Sequence, residues 1–253
     1  MIGARDGTPH SAGTTRFARA ARQRQQLILA VQLVATVAVL GWVPGNGTKL
    51  ATMLIIWAIS FGRVSLSEFA MMALVNLIFV GMDLGALERG IFRFRDPDFL
   101  GLPIYEFFMW GFYTLHTIRL VDGEPARPPR IMLGLAFAVT FSLPFSLIPD
   151  PLLLLAATSA ILLLALVAFG GLMDLVYTGY VIALGALIEY VGVGTGQWSY
   201  PHSPFGGVPL WSFAMWAGVG LFTRRLLLPL VRYGSRWSKS ESHMSHMENS
   251  RRR

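Results

Sequence analysis

The chain has no cysteine. Disulfides and thiolate metal sites are therefore excluded, and cysteine usage says nothing of the redox compartment. Charge is scarce as well: 14% of the 253 residues are Asp, Glu, Lys or Arg, against 54% hydrophobic. A soluble domain is typically about 25% charged. With a mean hydropathy of +0.54, the composition is that of an integral membrane protein. Also missing are a phosphate-binding glycine loop and a nucleophile-elbow pattern around any serine.

The charge present is gathered at the ends. Arg5, Arg16, Arg19, Arg22 and Arg24 precede the first apolar run, and Arg224, Arg225, Arg232, Arg236, Lys239 and Arg251 to Arg253 follow the last. Net charge is +7. Basic flanks on an apolar body are ordinary cytoplasmic ends that meet anionic headgroups. They carry no nucleic-acid motif, so no nucleic-acid partner is expected. Residues 1–25 and 238–253 read as disordered tails, and 26–237 as one membrane domain. No small-residue cleavage site follows the first apolar run, which reads as a retained helix.

Eight apolar segments lie between the tails: 27–43, 50–61, 64–87, 103–120, 131–148, 152–169, 172–191 and 209–231. The second is short for a span of about 20 residues. Residues 90–110 align without a gap on 196–216, an offset of 106, with 7 of 21 positions identical. The same shift places each of the first four segments on one of the last four. The expected fold is an all-α, polytopic membrane bundle of about eight helices. It consists of two parallel repeats, 26–125 and 130–232, because an even number of helices per unit preserves orientation. Arginine in the 119–130 loop and the tails predicts a multi-pass protein of the cell (inner) membrane with both termini cytoplasmic.

Acids inside apolar segments are the candidate chemistry. Glu68, Asn76 and Asp83 share one stripe of the third segment, and Asp174 and Glu189 repeat its acids on the seventh. Asp83 and Glu189 are candidate catalytic acids. Glu68 and Asp174, nearer the cytoplasmic ends, are secondary and equally consistent with ion pairs. The fourth segment opens Pro103-Ile-Tyr-Glu106, which places Glu106 in a first helical turn with Trp110, Tyr113 and Thr117 on its face. The second copy has Ser212 and Val219 where the first has Glu106 and Tyr113. Phe92, Phe94, Tyr105, Trp198, Tyr200, Trp211 and Trp216 complete an aromatic set. It reads either as an interfacial belt or as the lining for a polyene or a developing carbocation. His116 and His202 are lone histidines. A metal at His202, Glu189 and Asp83 is the minor alternative, so no metal and no cofactor are expected.

The run Glu189-Tyr-Val-Gly-Val-Gly-Thr-Gly-Gln-Trp-Ser-Tyr200, followed by Gly207-Val-Pro209 and Trp216, resembles a signature of membrane carotenoid-biosynthesis proteins, carotenoid hydratases among them. Pro103-Ile-Tyr-Glu106-Phe-Phe is similar to the proline–acid–acid motif of small membrane lycopene cyclases, with Tyr105 at the first acid position. The resemblance implies acid–base chemistry at a C=C bond of an isoprenoid, by hydration or cyclisation. The partner expected is thus a membrane lipid or isoprenoid substrate. A transporter with a proton or cation path along the acidic stripes, and a non-catalytic membrane scaffold, are the alternatives. Nothing in the sequence bears on oligomeric state.

Overall fold

The computed structural model describes residues 10–201, 203 and 205–234. They form eight α-helices: α1 His10–Trp42, α2 Asn46–Phe61, α3 Leu66–Glu88, α4 Glu106–Val121, α5 Pro128–Leu147, α6 Pro151–Phe169, α7 Leu172–Gly194 and α8 Leu210–Phe222. The last continues through a π-helical turn, Thr223–Leu227, inside one apolar stretch Leu210–Gly234. Two short strands, β1 Arg93–Phe94 and β2 Trp198–Ser199, pair antiparallel.

Residues 10–25, expected to be disordered, instead open α1. Their Ala, Arg and Gln are strong helix formers and run without a breaker into the apolar segment. The 238–253 tail lies outside the described residues. Elsewhere the helix ends follow local chemistry. Ser65 and Glu68 form a capping box at the start of α3. The Asp150 carboxylate accepts from the amides of Leu152 and Leu153 ahead of Pro151. Gly170, at a φ of 58°, takes the left-handed turn that divides α6 from α7.

Six helices are long and apolar enough to cross a membrane. They make this an all-helical, multi-pass membrane architecture. The other two, α2 and α4, have 16 residues each. Met109 to Ile118 of α4 are buried without interruption, so protein and not lipid surrounds that helix. It can therefore be shorter and more polar than a lipid-facing span.

The helices associate in pairs. Gly111 brings α4 onto α3, where an added Cβ would lie 2.6 Å from the Met72 carbonyl oxygen, and Gly220 does the same for α8 against the Tyr177 carbonyl oxygen. Such close approach through glycine is the usual means of packing helices in lipid. The Asn76 side chain accepts from the Gly111 amide at 2.6 Å, so Asn76 is a helix-packing group. One end of each pair is pinned by a forked ion pair: Arg119 donates to Glu68 and Arg225 to Asp174, each 51 residues apart. Gly41 lets α1 close on α7, where an added Cβ would lie 2.9 Å from Val191. His116 holds the centre, its ring bonded to Gln32 of α1 at 2.9 Å and Tyr180 of α7 at 2.6 Å. A second apolar cluster, with Phe141, Leu162, Phe169 and Leu221, packs α5 and α6 against α8.

Local geometry recurs at the 106-residue shift. Both α3 and α7 end in the same glycine turn, with Ile91 N–H bonded to the Ala86 carbonyl and Gln197 N–H to that of Gly192. Isolated bridges join Phe99 to Leu102 and Phe205 to Val208. In the strand pair, Arg93 faces Ser199, its own counterpart. An antiparallel pair in this register has a local two-fold axis between those residues.

The Asp174–Arg225 pair is buried, so breaking it exposes its cost. Asp174→Ala should destabilise the protein by about 3–5 kcal/mol, because it strands a buried guanidinium. Thermal unfolding in detergent measures this, and a melting temperature equal to wild type would contradict a buried pair.

Candidate functional site

The acid stripes of α3 and α7 divide their labour along the helix. Glu68 and Asp174 are taken up by Arg119 and Arg225 at one end. Asp83 and Glu189, four to five turns further on, line a cavity of about 1470 Å³ between the helix pairs, with Glu106 in the same wall. No three His, Asp or Glu side chains among the described residues are grouped to hold a metal ion.

Asp83 and Glu189 each meet an indole from the following helix. Trp110 Nε1 donates to Asp83 at 3.1 Å and Trp216 Nε1 to Glu189 at 3.1 Å, both across 27 residues of chain. The two indoles stack on each other with centroids 4.9 Å apart. Glu189 also accepts from Trp198 Nε1 at 3.1 Å and Tyr200 Oη at 2.9 Å. Burial, then the adjoining Glu189, pushes the Tyr200 phenol well above the ordinary tyrosine range, so it remains a donor. Asp83 lacks those two donors because Phe92 and Phe94 stand at the matching positions, and a phenyl ring has nothing to give.

Two glycines make the Glu189 site possible. A Cβ on Gly185 would lie 2.1 Å from the Trp216 ring, and one on Gly192 2.1 Å from the Trp198 ring. They flank Glu189 on one face of α7, at i−4 and i+3, and each seats one of its donors. On α3 the positions are Phe79 and Ala86, and Phe79 stacks on Trp110 at 4.1 Å.

Of the expected aromatics, Phe92, Phe94, Trp110, Tyr113, Trp198, Tyr200, Trp211 and Trp216 line the cavity. Tyr105 does not. It is buried outside the cavity beneath the Lys49 ammonium, 5.4 Å from its ring. The reason is geometric: as the N-cap of α4 its side chain departs in a direction different from that of Glu106. His202 lies outside the described residues. Phe79 and Phe145 also line the cavity, and neither stands in the motif-bearing stretches that drew attention to the others. The spacing of Gly185 and Gly192 about Glu189 was the readable signal for the tryptophan seats.

No protein-family model, curated protein or solved structure matches the chain.

The seats lead to a paired test. Gly185→Ala should displace Trp216 and cost about 1–3 kcal/mol, as overpacking does. Gly179→Ala, on the same helix with nothing within 4 Å of its added methyl, should stabilise by up to about 1 kcal/mol. Equal melting temperatures for the two variants would show that Trp216 is not held against α7.

Proposed function

We propose that this protein is a membrane enzyme that protonates a C=C bond of a carotenoid or related linear isoprenoid within the bilayer. The observation that carries this reading is a single large aromatic cavity, inside an apolar bundle, that holds Asp83, Glu106 and Glu189 while the other acids of the stripes are closed in ion pairs. A path for protons or cations along the bundle would need Glu68 and Asp174 available. Both are held by arginine instead.

The division of roles follows from the partners. Glu189 is surrounded by donors only, so it serves as a fixed acceptor whose negative charge faces the developing cation. Glu106 is the proton donor and Asp83, with one donor, the second acid–base group. The Glu106 O–H proton adds to one alkene carbon as the π pair forms the new C–H bond. The other carbon becomes a tertiary cation. In hydration, a water oxygen bonds to that carbon and its proton returns to the carboxylate. In cyclisation, an internal alkene forms the C–C bond, and an adjacent C–H gives up the proton. Either way the acid is restored and no oxidant is required.

The proposal includes the architecture. Two four-helix units in parallel orientation, with eight crossings and cytoplasmic termini, explain why the ion pair, the indole–carboxylate bond and the glycine turn all recur at one spacing. Reporter fusions after residues 97 and 150 should then score outside, and a fusion after 125 inside. Opposite orientations of the 97 and 203 loops would exclude parallel units.

The catalytic reading is tested in membranes supplied with a linear polyene. Glu106→Gln should abolish product while leaving folded protein near wild-type amounts. Ser212→Ala should be nearly silent, because a serine hydroxyl is too weak an acid to protonate an alkene. Loss of a mere helix-terminal charge would cost only about 0.3–1 kcal/mol of stability. Product formation by Glu106→Gln at the wild-type rate would therefore exclude Glu106 as the acid.

A further inference from the structure

Six helical glycines of this bundle, Gly41, Gly111, Gly185, Gly192, Gly218 and Gly220, each admit a neighbouring helix or ring to within 3 Å of an added Cβ. Gly47, Gly81, Gly85, Gly179 and Gly194 do not, and of these Gly81 and Gly85 of α3 line the cavity. An added Cβ at Gly81 has nothing within 4 Å, and at Gly85 it meets only the Arg89 side chain at 3.9 Å. A glycine inside a helix is destabilising relative to alanine. Here that cost is met by no helix contact, yet both glycines line the cavity.

The equivalent wall in the second half is closed. Shifted by 106, Gly81 and Gly85 become Leu187 and Val191, and Val191 is the residue on which α1 sits through Gly41. Gly41 itself becomes Leu147 of α5, which is 71% exposed and stands across the cavity from α3. One side of the bundle is thus sealed by glycine against valine. The other is left open between α3 and α5, with exposed Ile78, Met82, Leu147 and Leu152 around the opening.

A second, independent observation points to an occupant. The Tyr113 hydroxyl has no hydrogen-bond partner although the residue is only 5% exposed, and it lines this cavity. A buried hydroxyl without a partner is left with its full desolvation penalty. Its counterpart is Val219, so the unmet hydroxyl belongs only to the half with the open wall.

Charge at the mouth selects the occupant. Glu88 and Asp150 stand there, and Arg89 donates to the carbonyls of Gly85 at 3.0 Å and Ser146 at 3.5 Å. An anionic headgroup would meet two carboxylates and an arginine turned to backbone. We propose that the gap between α3 and α5 is a lateral portal for a headgroup-free linear isoprenoid hydrocarbon. The chain lies along the Gly81–Gly85 groove with its leading end at Tyr113. The proposal rests on the acid–base reading for its substrate class and adds the route and the side of the bundle.

The test separates the two. The protein is purified in detergent from membranes containing lycopene, and retained pigment per folded protein is read by absorbance alongside turnover. The double variant Gly81→Leu/Gly85→Leu should fold, since leucine is the better helix former, and should retain about tenfold less pigment. Gly179→Leu, equally open but outside the cavity, should retain it fully. Glu106→Gln should keep the pigment and lose turnover; if it keeps both, the catalytic reading fails while the portal stands. Three results overturn the portal. The first is full pigment retention by the double variant, and the second is no retention by wild type. The third is a dimer that becomes monomeric in the double variant with pigment intact, which would make the Gly81–Gly85 stripe a surface for a second copy.

Discussion

A carboxyl group inside an apolar bundle must have a partner, and this requirement fixes how the helices of the protein stand against one another. Apart from Glu88 at the exposed end of α3, four acids occur on α3 and α7. Each is answered from the next helix, by arginine across 51 residues or by tryptophan across 27. The two bonds lie near opposite ends of each helix pair, so they fix its slide. A slip of one turn moves a side chain about 5.4 Å, which breaks both at once. Stranding even one buried charge costs several kcal/mol, and the same slip moves Gly111 off the Met72 carbonyl. In lipid, where burial does not itself drive helices together, such polar bonds decide the register.

Within that shared frame, the proposed chemistry draws on the positions where the halves differ. Glu189 has three donors because Trp198 and Tyr200 carry polar hydrogens, whereas Phe92 and Phe94 leave Asp83 with one. Ser212 keeps its hydroxyl on the Pro209 carbonyl, while Glu106 extends from the corresponding helix turn into the cavity wall. Two-fold similarity supplies the position of each group. In the proposed reaction, substitution at a handful of matched positions makes one half a fixed counter-charge and the other a mobile acid. A symmetric pair of equally held acids would lack that difference in role.

Much of the frame was legible beforehand. Apart from the start of α1, apolar runs located most helix ends to within a few residues, with Gly170 as the break between α6 and α7, because burial in lipid leaves few polar residues to blur the boundaries. The shift of 106 also brought Asp83 and Glu189 forward as equivalents. What escaped were contacts set by side-chain direction. Arg119 and Arg225 read as loop and flank charges, since nothing in the sequence shows that α4 and the π-helical turn bring them beside Glu68 and Asp174. Tyr105 shares a motif with Glu106 yet points elsewhere, because neighbours on a helix diverge by about 100°. The helical 10–25 stretch was hidden by its composition: Arg- and Gln-rich sequence suits a solvated helix as well as a disordered tail.

The stacked tryptophans also decide which rings can serve a carbocation. A ring stabilises a cation through its face. Trp110 has Phe79 on one face at 4.1 Å and Trp216 on the other at 4.9 Å. Trp216 lies between Trp110 and the bare backbone of Gly185. Both indoles are thus spent as N–H donors that hold the acids, with their faces covered. Any cation–π contribution must come from the outer rings, where Phe92 meets Phe94 edge-on and Tyr200 meets Trp211 edge-on. An edge-on pair covers one face of one of its two rings and leaves the others free of the partner. The aromatic set therefore has two parts: an inner stack that positions carboxylates and an outer wall that, in the proposed reaction, meets the chain.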